Sequence, residues 1–181
     1  PNEKNGATNA GCIGFELTTD LDFDTNEDGI LNASDGYWNK GSDDTSVNEE
    51  AGWISIGNGY TPFSSIFEGN GYVVRNLFIN RPSLNFQGLF GYTKGATIRN
   101  IGLTGNLMFV SGNEGVGSLV GKAYNTKIRG VFNTGTVKGG DGDVGGIVGE
   151  LLSSSLINSF NTGSVTGSIF VGGLAGKVAA E

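Results

Sequence analysis

Twelve consecutive residues near the N-terminus carry oxygen-bearing side chains at the spacing of a calcium loop. In residues 24–35 such side chains occupy loop positions 1, 3, 5, 9 and 12, and the backbone carbonyl of position 7 would add a sixth ligand. The predicted metal ligands are Asp24, Asn26, Asp28, Ile30 (through its carbonyl oxygen), Asn32 and Asp35. Gly29 at position 6 allows the sharp turn. Because Ca²⁺ takes about six to eight oxygen ligands, the spacing predicts Ca²⁺ as a bound cofactor.

The residues that flank this loop have the pattern of a β-strand. Apolar and polar residues alternate over residues 15–23, and no amphipathic helical period follows the loop at residues 36–38. We therefore expect a loop inserted into a β-rich turn, where calcium is a structural clamp and not a helix–loop–helix switch. Asp35 at position 12, in place of Glu, resembles the loops of dockerins. An acidic loop that binds no metal is the alternative.

Residue types elsewhere in the chain exclude several kinds of catalytic site. The chain has no histidine, which excludes a Ser-His-Asp triad and any histidine-ligated zinc or iron site. The single cysteine, Cys12, cannot form an internal disulfide, so it is either a buried thiol or bonded to a residue beyond this sequence. Asp141 and Asp143 are a carboxylate pair of the kind that glycosidases use, but they lie in a glycine-rich stretch that predicts a corner.

Charge is unevenly distributed along the chain. The net charge is −7, and residues 1–50 contain 12 of the 18 acidic residues but only 2 of the 11 basic ones. Such an acidic segment disfavours nucleic acid and anionic lipid as partners. Residues 39–52 are a polar, acidic insertion that we expect to be a solvated loop. No apolar run approaches the ~20 residues that span a bilayer, so we expect no membrane insertion.

The C-terminal part of the chain repeats itself. Four short segments, which we call anchors, align as 88–91, 118–121, 146–149 and 173–176, and their last glycines are 30, 28 and 27 residues apart. Seven residues beyond each of the first three lies an apolar residue (Ile98, Ile128 and Leu156), and seven further lies a glycine. The frame extends upstream, with Phe67 in the anchor place and residues 74–77 matching residues 98–101. A fixed period of about 20–50 residues indicates a solenoid, a propeller or an array. The short β-branched segments favour one three-strand coil of a parallel β-helix per repeat of about 28 residues.

These repeats resemble a known family. The segments Val-Gly-Gly-Ile-Val-Gly at 144–149 and Ile-Asn-Ser-Phe-Asn-Thr-Gly-Ser-Val-Thr-Gly at 157–167 resemble the GLUG repeat of bacterial surface proteins, and residues 67–77 look like the segment that introduces such repeats. The resemblance covers about residues 12–178. It implies an all-β, right-handed parallel β-helix in secreted or cell-surface proteins, adhesins among them, and no enzymatic activity. We divide the chain into an N-terminal solenoid turn with insertions (1–66) and GLUG-type repeats (67–181), as one continuous domain and a fragment of a larger protein.

Two columns of polar residues are predicted on the outer surface of the coils. Arg75, Arg99 and Arg129 each follow the apolar position of their unit and are predicted to stack, which would suit the carboxylates of an anionic glycan. A threonine column, consisting of Thr104, Thr134 and Thr162, would align hydroxyl groups across coils, as in ice-binding solenoids.

Together these patterns predict a non-enzymatic structural or adhesive module, stabilised by calcium and located outside the cell or at its surface. The ligand of that surface, a glycan or a protein, is not specified by the sequence. We expect a monomer. The alternatives are a carbohydrate-binding or polysaccharide-processing β-helix and an ice-binding surface.

Overall fold

A computed structural model describes residues 13–36 and 51–180 of the chain. Cys12 and nearly all of the acidic insertion at 39–52 lie outside these residues. All regular secondary structure in the described part is β, and no strand there is longer than 8 residues. The strands, in chain order, are β1 (Gly14–Glu16), β2 (Leu21–Asp22), β3 (Ile66–Glu68), β4 (Val73–Arg75), β5 (Phe78–Asn80), β6 (Phe90–Lys94), β7 (Thr97–Thr104), β8 (Phe109–Ser111), β9 (Val116–Gly117), β10 (Val120–Tyr124), β11 (Lys127–Asn133), β12 (Thr136–Lys138), β13 (Asp143–Gly145), β14 (Val148–Leu152), β15 (Ser155–Ile157), β16 (Phe160–Asn161), β17 (Val165–Thr166), β18 (Phe170–Gly172) and β19 (Ala175–Ala179).

These strands form four parallel sheets that the chain visits in turn. Sheet 1 contains β1, β2, β3, β4, β7, β11, β15 and β16; sheet 2 contains β5, β8, β12 and β17; sheet 3 contains β6, β10, β14 and β19; and sheet 4 contains β9, β13 and β18. One coil runs from sheet 3 through sheets 1, 2 and 4 and returns to sheet 3. The predicted β-solenoid is confirmed, but each coil has four strand segments and not the expected three.

The register within sheet 3 reproduces the sequence period. Phe90 pairs with Val120, Val120 with Val148, and Val148 with Ala175, which gives steps of 30, 28 and 27 residues. In sheet 1, Ile98, Ile128 and Leu156 pair as predicted. Equivalent residues of successive repeats therefore lie one above another, which is the defining property of a solenoid.

The core is a continuous stack of aliphatic side chains inside these coils. Leu89, Leu119 and Ile147 are 5%, 0% and 0% exposed. The N–H of Leu119 donates to Ile147 O, and that of Leu89 donates to Ser118 O, next to Leu119. Leu174 continues this ladder but is 39% exposed, because no further described coil packs on it. The inward position is thus specified by the anchors, and its burial depends on a neighbouring coil on each side.

Residues with positive φ bend the chain within sheet 1 itself. Asn100, Gly130 and Asn158 align within sheet 1, and all have positive φ, at 57°, 65° and 51°. Asparagine tolerates this left-handed conformation better than other residues with a Cβ. The last glycine of each anchor has a different role, since its missing side chain makes room for neighbouring backbone.

The upstream end of the repeat frame differs from the sequence alignment. Phe67 pairs with Ile98, and Arg75 pairs with Thr104, so neither residue has the place expected from the resemblance of 74–77 to 98–101. Ile56 forms a parallel bridge with Phe90 and therefore takes the anchor place. The predicted arginine column is consequently wrong at Arg75: only Arg99 and Arg129 stack, and Arg75 instead contacts Asp20.

Candidate cation sites

The predicted calcium loop follows β2 and is closed by its first and last residues. Asp24 and Asp35 are 8% and 5% exposed. The carboxylate of Asp24 accepts hydrogen bonds from the backbone N–H groups of Asp28 at 3.2 Å and Gly29 at 3.0 Å. The carboxylate of Asp35 accepts from the N–H of Thr25 at 2.8 Å and that of Asn32 at 2.9 Å. Both ends of the loop are thereby tied to its interior.

The middle of the loop is ordered in the same way. Asn26 Oδ1 accepts from the N–H of Asp28, and Asp28 Oδ1 accepts from the N–H of Ile30. The side chain of Ile30 is 61% exposed, whereas its carbonyl oxygen accepts a hydrogen bond from the amide of Asn32. The six predicted ligands thus lie in one turn and offer oxygens of the type that Ca²⁺ prefers. The carboxylates of Asp24, Asp28 and Asp35 accept hydrogen bonds within the loop and do not form a group whose oxygens lie within 4.8 Å of one another.

This loop borders a polar cleft of about 820 Å³ at the edge of sheet 1. Asp24, Gly29 and Arg75 line one part of the cleft, and Thr104 and Thr134 of the predicted threonine column line another. The Thr134 hydroxyl donates to Thr104 Oγ1 at 2.8 Å, so two of the column's hydroxyl groups bond each other. The predicted stacking of Thr104 on Thr134 is therefore confirmed.

A second acidic group lies in the repeats, far along the chain from the loop. Among the described residues, the group of three carboxylates whose oxygens all lie within 4.8 Å of one another consists of Glu114, Asp143 and Glu150. Asp143 and Glu150 are each 4% exposed, and Glu114 is exposed. We call this group the carboxylate cluster. Asp141, which the sequence paired with Asp143, is exposed and is not part of it.

The fold of one repeat explains this proximity. Strand β13 turns back at the anchor 146–149, so residues that precede and follow the anchor meet side by side. Asp143 stands in the register column of Gly115 and Phe170, whereas Glu150 stands in the column of Tyr92, Lys122 and Lys177. Only in this coil do both columns carry an acid. The signal in the sequence was a pair of acids on either side of one anchor, Asp143 and Glu150, which only the turn brings together.

Two lysines from neighbouring coils partly compensate the cluster. Lys122 Nζ lies 3.0 Å from Glu150 Oε2, and Lys177 Nζ lies 3.9 Å from Asp143 Oδ2. The amide of Asn85 donates to Glu114 Oε2 at 3.3 Å. By contrast, Asp143 Oδ1 is buried and has no hydrogen-bond partner among the described residues. An unsatisfied buried carboxylate oxygen is unfavourable by the free energy of its lost hydration.

The electrostatic environment of Asp143 reflects this burial. Loss of hydration raises the pKa of Asp143. The ammonium group of Lys177 lowers this pKa, whereas the carboxylates of Glu150 and Glu114 raise it, and the net direction is upward. The cluster therefore contains more negative charge than its two lysines compensate.

A third polar surface lies on the outer face of sheet 1. Burial opposes ionisation of Glu68, but hydrogen bonds from the Asn70 backbone, the Asn100 amide and Arg99 outweigh it and lower the pKa of Glu68. Glu68, Asn70 and Asn100 line a cavity of about 470 Å³, which Phe132 also lines. The Phe132 ring stacks on that of Phe160, with ring centres 5.3 Å apart and planes inclined by 8°.

Comparison with known proteins places one repeat in a family. Residues 112–138, which include the second anchor and strands β10 to β12, match the GLUG motif. The predicted resemblance is therefore confirmed for this stretch, and the register shows that the other GLUG-like repeats lie directly above and below it.

Two curated proteins are similar to longer parts of the chain. A protein provisionally named a Gly-rich membrane protein, from Evansella cellulosilytica, is 40% identical over 75 residues, which is 40% of this chain and 9% of that protein. Halomucin from Haloquadratum walsbyi is 33% identical over 137 residues, which is 70% of this chain and 1% of that protein. The chain thus spans less than a tenth of the length of either relative. No solved structure matches with statistical significance.

The described residues contain no helix that is long and apolar enough to cross a bilayer. The GLUG motif and the β-solenoid fold together fit a structural module of a surface-type protein.

Proposed function

We propose that this chain is a non-enzymatic, calcium-stabilised β-solenoid segment of an extracellular or cell-surface protein, where it acts as a stiff spacer or an adhesive surface. The observation that carries this proposal is the unbroken ladder of paired coils, with Leu119 and Ile147 fully buried between neighbours. A solenoid of this kind resists bending because every coil is hydrogen-bonded to the next along its sheets. The names of the two relatives, a membrane protein and Halomucin, support a location at the cell surface.

Calcium at the loop 24–35 is the stabilising element of this proposal. The loop follows a strand of only two residues, β2, and its backbone is held mainly by its own carboxyl and amide groups. A cation among these oxygens would join the two ends of the loop, Asp24 and Asp35, through coordination as well as hydrogen bonds. Metal that binds only the folded state would stabilise it by about 2.7 kcal/mol at a free concentration one hundred times Kd.

The test compares thermal unfolding with and without Ca²⁺ in two loop variants. Asp28→Asn removes the charge of an exposed predicted ligand, and Glu27→Gln is its matched control, since Glu27 is an exposed acid of the same loop at a non-ligand position. We expect Ca²⁺ to raise the Tm of wild type and Glu27→Gln more than that of Asp28→Asn. Equal increases in all three proteins would refute calcium binding by this loop.

Glycan recognition is a second candidate function, favoured by the cavity beside Phe132. An aromatic ring near amide and carboxylate groups is a common surface for sugars, and here Asn100 and Glu68 line the same cavity as the ring. Binding to a glycan array that Phe132→Ala abolishes would support this function, provided that the variant keeps the wild-type Tm. An array without bound glycans would remove it.

The threonine column also raised the hypothesis of ice binding, which the geometry of its hydroxyl groups disfavours. Thermal hysteresis that is lost in Thr134→Tyr would support it. The hydrogen bond between Thr104 and Thr134 engages hydroxyl groups that an ice surface would need, so we expect no hysteresis.

A further inference from the structure

We propose that the carboxylate cluster of Glu114, Asp143 and Glu150 is a second Ca²⁺ site, which joins two successive coils of the solenoid. The site is independent of the loop 24–35 and would exist whether or not that loop binds metal. Glu114 precedes strand β9 of one coil, whereas Asp143 and Glu150 belong to strands β13 and β14 of the next. A cation held by all three would therefore bridge the coils on the outside of the hydrogen-bonded sheets.

The separation of the carboxylate oxygens suits calcium. Two oxygens that bind one Ca²⁺ at about 2.3–2.6 Å are at most about 5.2 Å apart, and the three oxygens of the cluster lie within 4.8 Å of one another. Mg²⁺ demands near-ideal octahedral geometry and gives up its water ligands reluctantly, so a site built from three carboxylates favours Ca²⁺. Water would complete the coordination on the exposed side at Glu114.

A second observation that indicates a bound cation is the oxygen of Asp143 that has no hydrogen-bond partner. Asp143 is 4% exposed, and its Oδ1 atom has no donor among the described residues, although Oδ2 faces Lys177. Buried carboxylate oxygens in folded proteins nearly always have a hydrogen-bond donor or a bound cation beside them. The cluster thus has one oxygen that a cation would satisfy.

The preceding coil places a glycine beside the cluster. Gly115 occupies the register position of Asp143, and a Cβ atom there would lie 2.6 Å from the Phe86 ring and 3.4 Å from Glu150 Oε1. The two lysines lie at other oxygens, Lys122 at Glu150 Oε2 and Lys177 at Asp143 Oδ2. Lys177 is half-exposed and 3.9 Å away, so it can move aside when a divalent cation binds.

The experiment measures Ca²⁺ binding by calorimetry and by Tm in the Asp28→Asn background, in which the loop has lost one charged ligand and Ca²⁺ binding there is weakened. In this background we test Glu114→Gln and Asp143→Asn, with Asp141→Asn as the matched control, because Asp141 is an exposed acid two residues from Asp143 and outside the cluster. We expect Ca²⁺ to bind the background protein and the Asp141→Asn control equally. Loss of one charged ligand should weaken binding by about tenfold or more.

Two further measurements separate calcium coordination from a purely structural role. Lys177→Gln removes a competing positive charge and should tighten Ca²⁺ binding, a result that loss of packing would not produce. MgCl₂ at the same concentration should raise the Tm less than CaCl₂. If Asp143→Asn does not fold, Glu114→Gln still decides, since the Glu114 side chain is exposed.

The proposal is wrong if Ca²⁺ neither binds nor raises the Tm in the Asp28→Asn background. It is equally wrong if Glu114→Gln and Asp141→Asn respond to Ca²⁺ alike. Failure of the loop alone is distinguishable from either result, because wild type and Asp28→Asn would then show the same Ca²⁺ binding while Glu114→Gln still differed.

Discussion

Replacing Gly149 by alanine should test why the anchor ends in glycine. A Cβ atom at Gly149 would lie 2.4 Å from the carbonyl carbon of Gly115, 2.4 Å from the nitrogen of Val116 and 2.6 Å from the oxygen of Gly121. All three are backbone atoms of paired strands or their connection, so none can move aside as a flexible side chain would. Gly173 is the matched control, because a Cβ atom there would have no heavy atom within 4 Å.

The magnitude follows from the extent of the overlap. Carbon atoms in contact are separated by about 3.5–4.0 Å, so the new methyl group overlaps its neighbours by roughly 1 Å. Overpacking of one methyl group costs about 1–3 kcal/mol, and we expect the upper end, about 3 kcal/mol, because backbone of the preceding coil must shift. In a chain of this length such a loss lowers the Tm by about 6–12 °C. Gly173→Ala should leave stability unchanged or raise it by about 0.4–1 kcal/mol, since alanine restricts the unfolded chain.

Urea unfolding followed by far-UV circular dichroism measures both variants against wild type. Metal-free buffer excludes any contribution of cations to the difference. If Gly149→Ala and Gly173→Ala differ by less than about 0.5 kcal/mol, the normal spread of surface substitutions, then close backbone approach is not the reason for the last anchor glycine. The glycine would then have to be explained by folding kinetics or by a ligand.

Two other predictions concern the core and one surface acid. Leu119→Ala should lower the free energy of unfolding by about 3 kcal/mol. Leu174 lies on the same ladder but is 39% exposed, so Leu174→Ala should lower it by about 1 kcal/mol or less. Equal losses of stability in urea unfolding would contradict the ladder. Because the pKa of Glu68 is lowered in the folded state, its stabilising effect is present above the unfolded-state pKa of about 4.3 and is lost as the pH falls through the lower folded-state value. Glu68→Gln should therefore have a lower free energy of unfolding than wild type at pH 7 and a value closer to wild type near pH 3. Asp141→Asn, its exposed control, should show no such change. A difference in stability that is independent of pH would refute the hydrogen bonding of Glu68.

The solenoid could be predicted from the sequence because apolar residues and glycines recur along the chain at a nearly constant spacing. Inward aliphatic residues recur at each anchor, and a strand that slipped by one residue would turn them toward solvent. The pairing of Ile98 with Ile128 and of Ile128 with Leu156 could thus be predicted from spacing alone, and it is confirmed. The fourth strand segment was not predicted, since β9 has only two residues and lies next to the anchor.

Short local similarity was a poorer guide to register. Residues 74–77 resemble residues 98–101, yet Val74 pairs with Leu103, and the partner of Ile98 is Phe67. Four matching residues do not determine which corner precedes a strand, and the corners set the register of a coil. The misplaced frame led directly to the incorrect position of Arg75 in the arginine column.

Sites on this fold arise where a column changes its residue type. The column of Glu150 contains Tyr92 and two lysines, and the column of Asp143 contains Phe86, Gly115 and Phe170 in the equivalent places. Outward positions contribute little to the core, so they tolerate such changes without loss of the fold, whereas inward and anchor positions do not. The repeats are recognised from their inward and anchor residues, which recur in every coil. An unusual residue in an outward column does not alter this pattern and is therefore not detected by it. A chemical site on a solenoid consequently consists of an outward residue that differs in type from the rest of its column, together with the residues directly above and below it. Glu150, with Lys122 and Lys177 in the neighbouring coils, is such a case.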